Sequence, residues 1–213
     1  MTRDEDLPDD VMDMPPSRKG ARRKTEIIDA VLRVIGRDGI LDVSMRAVAA
    51  EASVPLGTVT YYFSNKEELI EAAFLRHTQR ETARIVAAIT HLSALAPADL
   101  ARGLADFVIQ GLTEHREQLV AEYQFLNASV RRDSLQRASA AWLQSLAAHL
   151  EERLTAFSSS SPKTDARLIL AVLAGLEVDN LSVPLGPADE RAIRAIIGRL
   201  FHGLEELWIQ EKR

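Results

Sequence analysis

AAEASVPLGTVTYYFSNK, residues Ala49 to Lys66, reads as a helix-turn-helix followed by the capped start of a further helix. Ala49 supplies the small residue needed where two helices cross closely, and the turn Ser53-Val54-Pro55 follows four positions later. Val48, Ala52, Val54, Val59 and Tyr62 fall where the two helices press on each other and on a preceding one. A recognition helix built this way presents its first turns to the major groove of DNA. The expectation is operator binding.

Working outward, Ile27, Ile28, Val31, Leu32 and Ile35 repeat at helical spacing, so a first helix is expected from about Arg22 to Arg37, with Gly39 as its stop. Ser44 is placed to cap a second helix, and Pro55 can open the recognition helix in its first turn, where its missing N–H is not needed. Ser64 with Glu67 reads as a capping box that starts a fourth helix. Carried to Leu92, through Leu69, Phe74, His77, Ile85 and Ile89, that helix would be on the order of 42 Å long.

The rest of the chain continues as helices. They are expected over Pro97–Thr113, Arg116–Val130, Asp133–Phe157, about Pro162–Leu181, and from after Pro187 to about Gln210. Asp133 with Gln136 reads as another capping box. Ser158–Ser161 and Pro184-Leu185-Gly186-Pro187 are the breaks. About nine helices and no convincing strand make the fold class all-α. Its organisation is an acidic, disordered tail over 1–17, a three-helix DNA-binding unit over 18–66, and a helical effector-binding and dimerisation unit over 67–213.

Composition agrees with a helical, core-forming chain: 46% of residues are hydrophobic and only 5% aromatic. With no cysteine, disulfides and thiolate metal sites are excluded, which fits a cytoplasmic location. The N-terminus has no apolar core of the signal-peptide kind, and no apolar run reaches membrane-spanning length. The net charge of −5 looks wrong for a DNA binder until its distribution is read. Residues 17–66 hold nine basic against five acidic side chains, whereas 1–16 set Arg3 against six acids. One basic end on an acidic body suits a protein that meets phosphate at that end only.

The run Ser53-Val54, Gly57-Thr58-Val59-Thr60-Tyr61-Tyr62-Phe63 and Lys66-Glu67-Glu68-Leu69 resembles the tetracycline-repressor (TetR) family of bacterial regulators over about Thr25 to Ala73. Three residues depart from the family pattern. Ser53 replaces the turn glycine, where a left-handed conformation costs roughly 1 kcal/mol and calls for a turn hydrogen bond from the serine. Thr60 replaces a tyrosine that reaches DNA, and Tyr62 replaces a histidine and is expected to pack. The resemblance implies DNA contacts from Arg46, Ser53, Thr58, Thr60, Tyr61 and Lys66, with Arg18, Lys19, Arg22, Arg23 and Lys24 as a basic arm. An arginine can read guanine or hold a phosphate, and hydroxyls can contact phosphates or a thymine methyl group.

The same resemblance implies a cavity enclosed by helices 4 to 8. Phe107, Tyr123, Asn127, Trp142 and Asn180 are its candidate lining, against the plainer reading that they are core residues with a polar edge. The last two helices are the candidate dimer surface; on the final one Ile193, Ile197, Leu200, Phe201, Leu204 and Trp208 form a stripe wide enough for both core and partner. The expected partners are double-stranded operator DNA, a second copy of the chain and an unidentified small-molecule effector, with no membrane. The five histidines are scattered and no phosphate loop, nucleophile elbow or metal-spaced cluster occurs, so no catalytic residue, metal or cofactor is expected. The function that follows is a ligand-responsive, homodimeric transcription regulator, more a repressor than an activator. Its rivals are an all-helical small-molecule carrier or enzyme with a vestigial DNA-binding end, and a DNA-binding regulator controlled by a protein partner.

Overall fold

The computed structural model describes residues 18–90 and 96–211, so the expected acidic tail and the extension of the fourth helix to Leu92 lie outside the described residues. The same holds for the side chain of Ile89. Among the described residues there are nine helices and no strand: α1 (Arg18–Asp38), α2 (Met45–Glu51), α3 (Leu56–Tyr62), α4 (Lys66–Thr90), α5 (Pro97–Thr113), α6 (Arg116–Ser129), α7 (Asp133–Ala156), α8 (Pro162–Asn180) and α9 (Pro187–Gln210).

α1 forms because Ile27, Ala30, Val31, Val34 and Ile35 share one buried face. It starts a turn earlier than expected, so the basic run belongs to a helix and is not an extended arm. Gly39 ends it at φ +97, its amide donating back to the Ile35 carbonyl. Ser44 caps α2 in extended conformation, its Oγ accepting from the Ala47 amide at 3.1 Å. A cap of this kind contributes about 1 kcal/mol.

The turn into the recognition helix is a strained one. Ser53 adopts φ +53, as its place in the motif demands. Its hydroxyl does not hold the turn; the backbone does, through Ser53 N–H to Ala50 and Val54 N–H to Ala49. Pro55 stands at the cap of α3, one position before the first turn, and its carbonyl accepts from Thr58.

Two capping boxes fall differently from the sequence expectation. At α4 the register moves by one: Asn65 Oδ1 accepts from the Glu68 amide at 2.8 Å, and the Glu68 carboxylate accepts from the Ser64 amide at 2.7 Å. Asn and Ser cap about equally well, so the one-residue shift keeps a good cap. At α7, Asp133 is already the first helical residue, Arg132 is the cap, and no side chain closes it.

α1 packs on α2 and α2 on α3, and α4 packs on α1 and runs on into the body, touching α5, α6 and α7. α5 lies against α9, α7 against α8, and α6 bridges α1 to α7. This arrangement corrects the reading of the α9 stripe. Ile193, Ile197, Phe201 and Leu204 are at most 3% exposed, covered by the chain's own helices. Trp208 is buried too and donates to Asp165 Oδ2 at 2.7 Å. Leu200 alone of the six stripe residues is part-exposed. The stripe faces inward because α5 needs it. The apolar side chains left outward are others: Leu168 and Val178 on α8, Ile196 and Leu207 on α9.

Candidate functional site

The N-terminal end presents the expected polar surface. Tyr61 is 81% exposed on α3, and Arg46, Ser53 and Thr60 are exposed while Thr58 is half-buried. Val59 is fully buried and Tyr62 packs on the core, so α3 turns its hydroxyls and phenol outward. Thr60 Oγ1 donates to the Gly57 carbonyl at 3.2 Å, and the Tyr61 ring meets Tyr62 edge-on at 5.0 Å. Gly57 has open space where a Cβ would stand. Lys66 Nζ donates to the Leu41 carbonyl at 2.8 Å, which ties the start of α4 to the α1–α2 loop. Of the basic run in α1, Arg22 and Arg23 both pair with Glu26.

α1 is bound to its neighbours by charge as well as by its apolar face. Glu51 of α2 accepts from Arg33 at 2.6 Å and from Arg37 at 2.9 Å. Asp29 accepts from Arg76 at 2.6 Å and from Arg80 at 3.0 Å, both on α4. Despite partial burial, these two guanidinium groups hold the Asp29 carboxyl below its usual range. α6 also reaches α1. A Cβ on Gly36 would stand 2.6 Å from the Glu117 carbonyl oxygen, so the two backbones meet where only glycine fits.

A cavity of about 90 Å³ lies among α4, α5, α6, α7 and α8. Three of the five candidate lining residues are there: Phe107, Tyr123 and Trp142. Asn127 is not, because it points to solvent from the outer side of α6. Asn180 is not either; its amide donates to the Leu176 carbonyl one turn back in α8.

The cavity's polar groups are the ones the sequence reading missed: Glu81, Arg84, Glu122 and Glu177. Each carries a pattern that could have flagged it. Glu177 follows Leu173 by one turn and stands beside Leu176 in a buried face, and Glu122 sits between Leu119 and Phe125 in α6. A carboxylate in an apolar stripe is the informative observation.

Tyr123 Oη donates to Glu177 Oε2 at 2.9 Å and to the Ala174 carbonyl at 3.1 Å. His77 Nε2 and Glu122 Oε2 share a hydrogen bond of 3.0 Å. Arg84 Nη1 meets Glu81 Oε2 at 2.5 Å, and its guanidinium lies 4.8 Å from the Phe107 ring centre. Burial, reinforced by neighbouring carboxylates, pushes Glu122 and Glu177 up to about 8 each. Burial pushes His77 down to about 4, and raises the Tyr123 phenol with help from Glu177. Near neutral pH the site therefore holds two protonated carboxyls and a neutral imidazole beside the Glu81–Arg84 salt bridge. Among the described residues, no three histidine or carboxylate side chains are gathered so as to hold a metal ion.

Residues 27–73 match the family model for bacterial regulatory proteins of the tetR family, and residues 95–203 match that for the tetracyclin repressor-like C-terminal domain. The chain belongs to the tetR family. The nicotine-responsive transcriptional repressor HdnoR of Paenarthrobacter nicotinovorans is 39% identical over 77 residues, 35% of this chain and 40% of HdnoR. The transcriptional regulator BetI of Burkholderia lata is 27% identical over 80% of this chain and 87% of its own length. Among tetR-like solved structures, the multidrug binding protein EbrR complexed with ethidium is 38% identical, covering 84% of this chain and 98% of that one with a TM-score of 0.65. EbrR has also been solved with malachite green and with proflavin. No helix of this tetR-family chain among the described residues is long and apolar enough to cross a membrane.

Proposed function

We propose that this protein is a transcriptional repressor that binds a pseudo-palindromic operator as a homodimer and releases it when an organic cation with aromatic surface enters the α4–α8 cavity. The DNA-reading unit is 18–66 and the effector unit 67–213. Arg46, Ser53, Thr58, Thr60, Tyr61 and Lys66 supply the contacts, with the basic first turns of α1 beside them. The second subunit docks on the outward faces of α8 and α9, where Leu168, Val178, Ile196 and Leu207 remain uncovered. The protein works in the cytoplasm.

The observation that carries the ligand class is the make-up of the cavity: three glutamates, two of them held protonated by burial and able to ionise beside a cation, face one guanidinium beside the rings of Phe107, Tyr123 and Trp142. Aromatic faces and carboxylates both favour a cation. EbrR, the similar protein with ethidium, malachite green and proflavin, binds flat organic cations of this kind. The coupling route is α4, which is tied at Lys66 to the α1–α2 loop of the DNA-reading unit and lines the cavity at Glu81, Arg84 and Ile85. At about 90 Å³ the cavity is smaller than the roughly 300–1,000 Å³ of a drug-sized site. A ligand must open it, and α4 is the helix that moves.

The test is fluorescence anisotropy of labelled DNA flanking the gene. Tetraphenylphosphonium should release the protein from this DNA while neutral triphenylphosphine oxide does not. Equal release by both, or by neither, would overturn the cation reading. Absence of sequence-specific binding would overturn the repressor reading itself.

A further inference from the structure

Arg84 stands where the charge of such a ligand would stand. One edge of its guanidinium is bonded to Glu81, its flat face lies on Phe107, and its Nη2 is buried with no hydrogen-bond partner. An arginine–carboxylate pair is frequently bidentate, with both ends of the fork on carboxylate oxygens. Here the second end is left open, although Glu122 and Glu177 line the same cavity. The side chain is 24% exposed whereas that of Glu81 is 9% exposed, so the cation has a way out and its anion does not.

The way out is visible. Arg84 and Phe107 line the inner cavity and also a groove on the α4–α5 surface bounded by Gly103, Asp106 and Gln110. These two side chains are the wall between the two spaces. Asp106, half exposed in that groove, is a carboxylate to which a displaced guanidinium can turn; it now holds Arg194 at 2.6 Å.

Resting on the organic-cation reading of the cavity, we infer that Arg84 is a tethered stand-in for the effector: its guanidinium occupies the cation subsite between Glu81 and Phe107, and the effector enters from the α4–α5 groove by displacing it. Specificity follows from this exchange. A neutral molecule of the same shape would leave Glu81 buried without a counter-charge, whereas a cation replaces what it removes. Displacement also acts directly on α4, one turn beyond Arg80, whose partner is Asp29 of α1.

The experiment is an ethidium titration followed by fluorescence with protein alone, for the wild type, Arg84→Ala and Arg84→Met. Removing a resident competitor should tighten ethidium binding by about tenfold or more, the inverse of the fraction of time the subsite is free. Millimolar methylguanidinium should then compete with ethidium in Arg84→Ala and not in the wild type, because only the variant has the vacated subsite. Circular dichroism melts identify the folded variants. Arg84→Met, which keeps the stem packed, carries the test where the alanine variant does not fold. Unchanged or weaker ethidium binding in a folded variant, or equal competition in both proteins, would overturn the inference. Failure of every form, wild type included, to bind ethidium would overturn the cation reading beneath it as well.

Discussion

Gly36 of α1 and Glu117 of α6 meet so closely that a methyl group on the glycine would stand 2.6 Å from the glutamate's backbone oxygen. This is the joint between the DNA end and the helix that carries Glu122 and Tyr123. Gly36→Ala must push the two helices apart, and should destabilise the protein by about 1–3 kcal/mol, the usual result of overpacking. Urea denaturation measures it. A variant as stable as the wild type would show that the joint yields freely.

Gly57 is the opposite case. It is exposed in the first turn of α3, and a Cβ there meets open space. Gly57→Ala should therefore stabilise the fold by up to about 1 kcal/mol through helix propensity. Its operator affinity should nevertheless fall, because in the proposed docking the added methyl stands on the surface that approaches the DNA backbone. Stability and anisotropy measured on the same preparation separate the two effects. A variant with undiminished DNA affinity would remove α3's first turn from the contact surface.

The protonated carboxyls make stability depend on pH in a definite sense. Glu122 and Glu177, at about 8, lie above their ordinary 4.5, so the folded protein keeps protons that the unfolded chain has lost. Their contribution is complete below about 4.5 and fades as pH rises through 8. Glu177→Gln escapes that loss. Its melting temperature should match the wild type near pH 5 and exceed it near pH 8, a gain on the order of 1–3 kcal/mol. His77 works the other way: at about 4 against an ordinary 6.5, it weakens the fold as pH falls between those values. A melting difference that does not widen with pH would place the Glu177 proton elsewhere.

The proposed cation binding would be linked to the same protons. A bound positive charge favours the ionised carboxylates, so binding should release protons and strengthen as pH rises from 6 towards 8. Tetraphenylphosphonium titrated by calorimetry in buffers of different ionisation enthalpy reports this directly. No buffer dependence would mean that neither Glu122 nor Glu177 changes state.

The outer faces of α8 and α9 give a fifth comparison. Glutamate at Ile196 and Leu207, both largely exposed, should yield a folded monomer by light scattering. Phe201→Glu should unfold the protomer, because Phe201 is 1% exposed in its own core. A doubly charged variant that stays dimeric would move the interface to another face.

Helix placement was open to sequence reasoning because local rules govern it. Apolar spacing locates α1 and α5, and proline and serine signals locate the starts of α8 and α9. The capping register at Asn65 was missed because serine and asparagine are both good caps and a one-residue shift changes neither neighbour. The α9 stripe was shared between core and partner because periodicity shows which face is apolar, not which helix covers it; α5 is about 90 residues away in the chain. The cavity aromatics were found from their type, but Glu81, Glu122 and Glu177 come from three helices and matter only where they converge. Their convergence is a tertiary fact.

The placement of the Asp29 clamp on α4 gives that helix unequal arms. Arg76 and Arg80 fix a fulcrum near residue 78, with Arg84 some six residues to one side and Lys66 twelve to the other. At 1.5 Å per residue the arms are about 9 and 18 Å. A tilt that moves Arg84 by about 1 Å therefore carries Lys66 about 2 Å in the opposite sense. In a two-fold assembly both subunits would swing, doubling the change in separation between recognition helices. A displacement no larger than a bond length at the cavity thus becomes a mismatch with the fixed pitch of DNA.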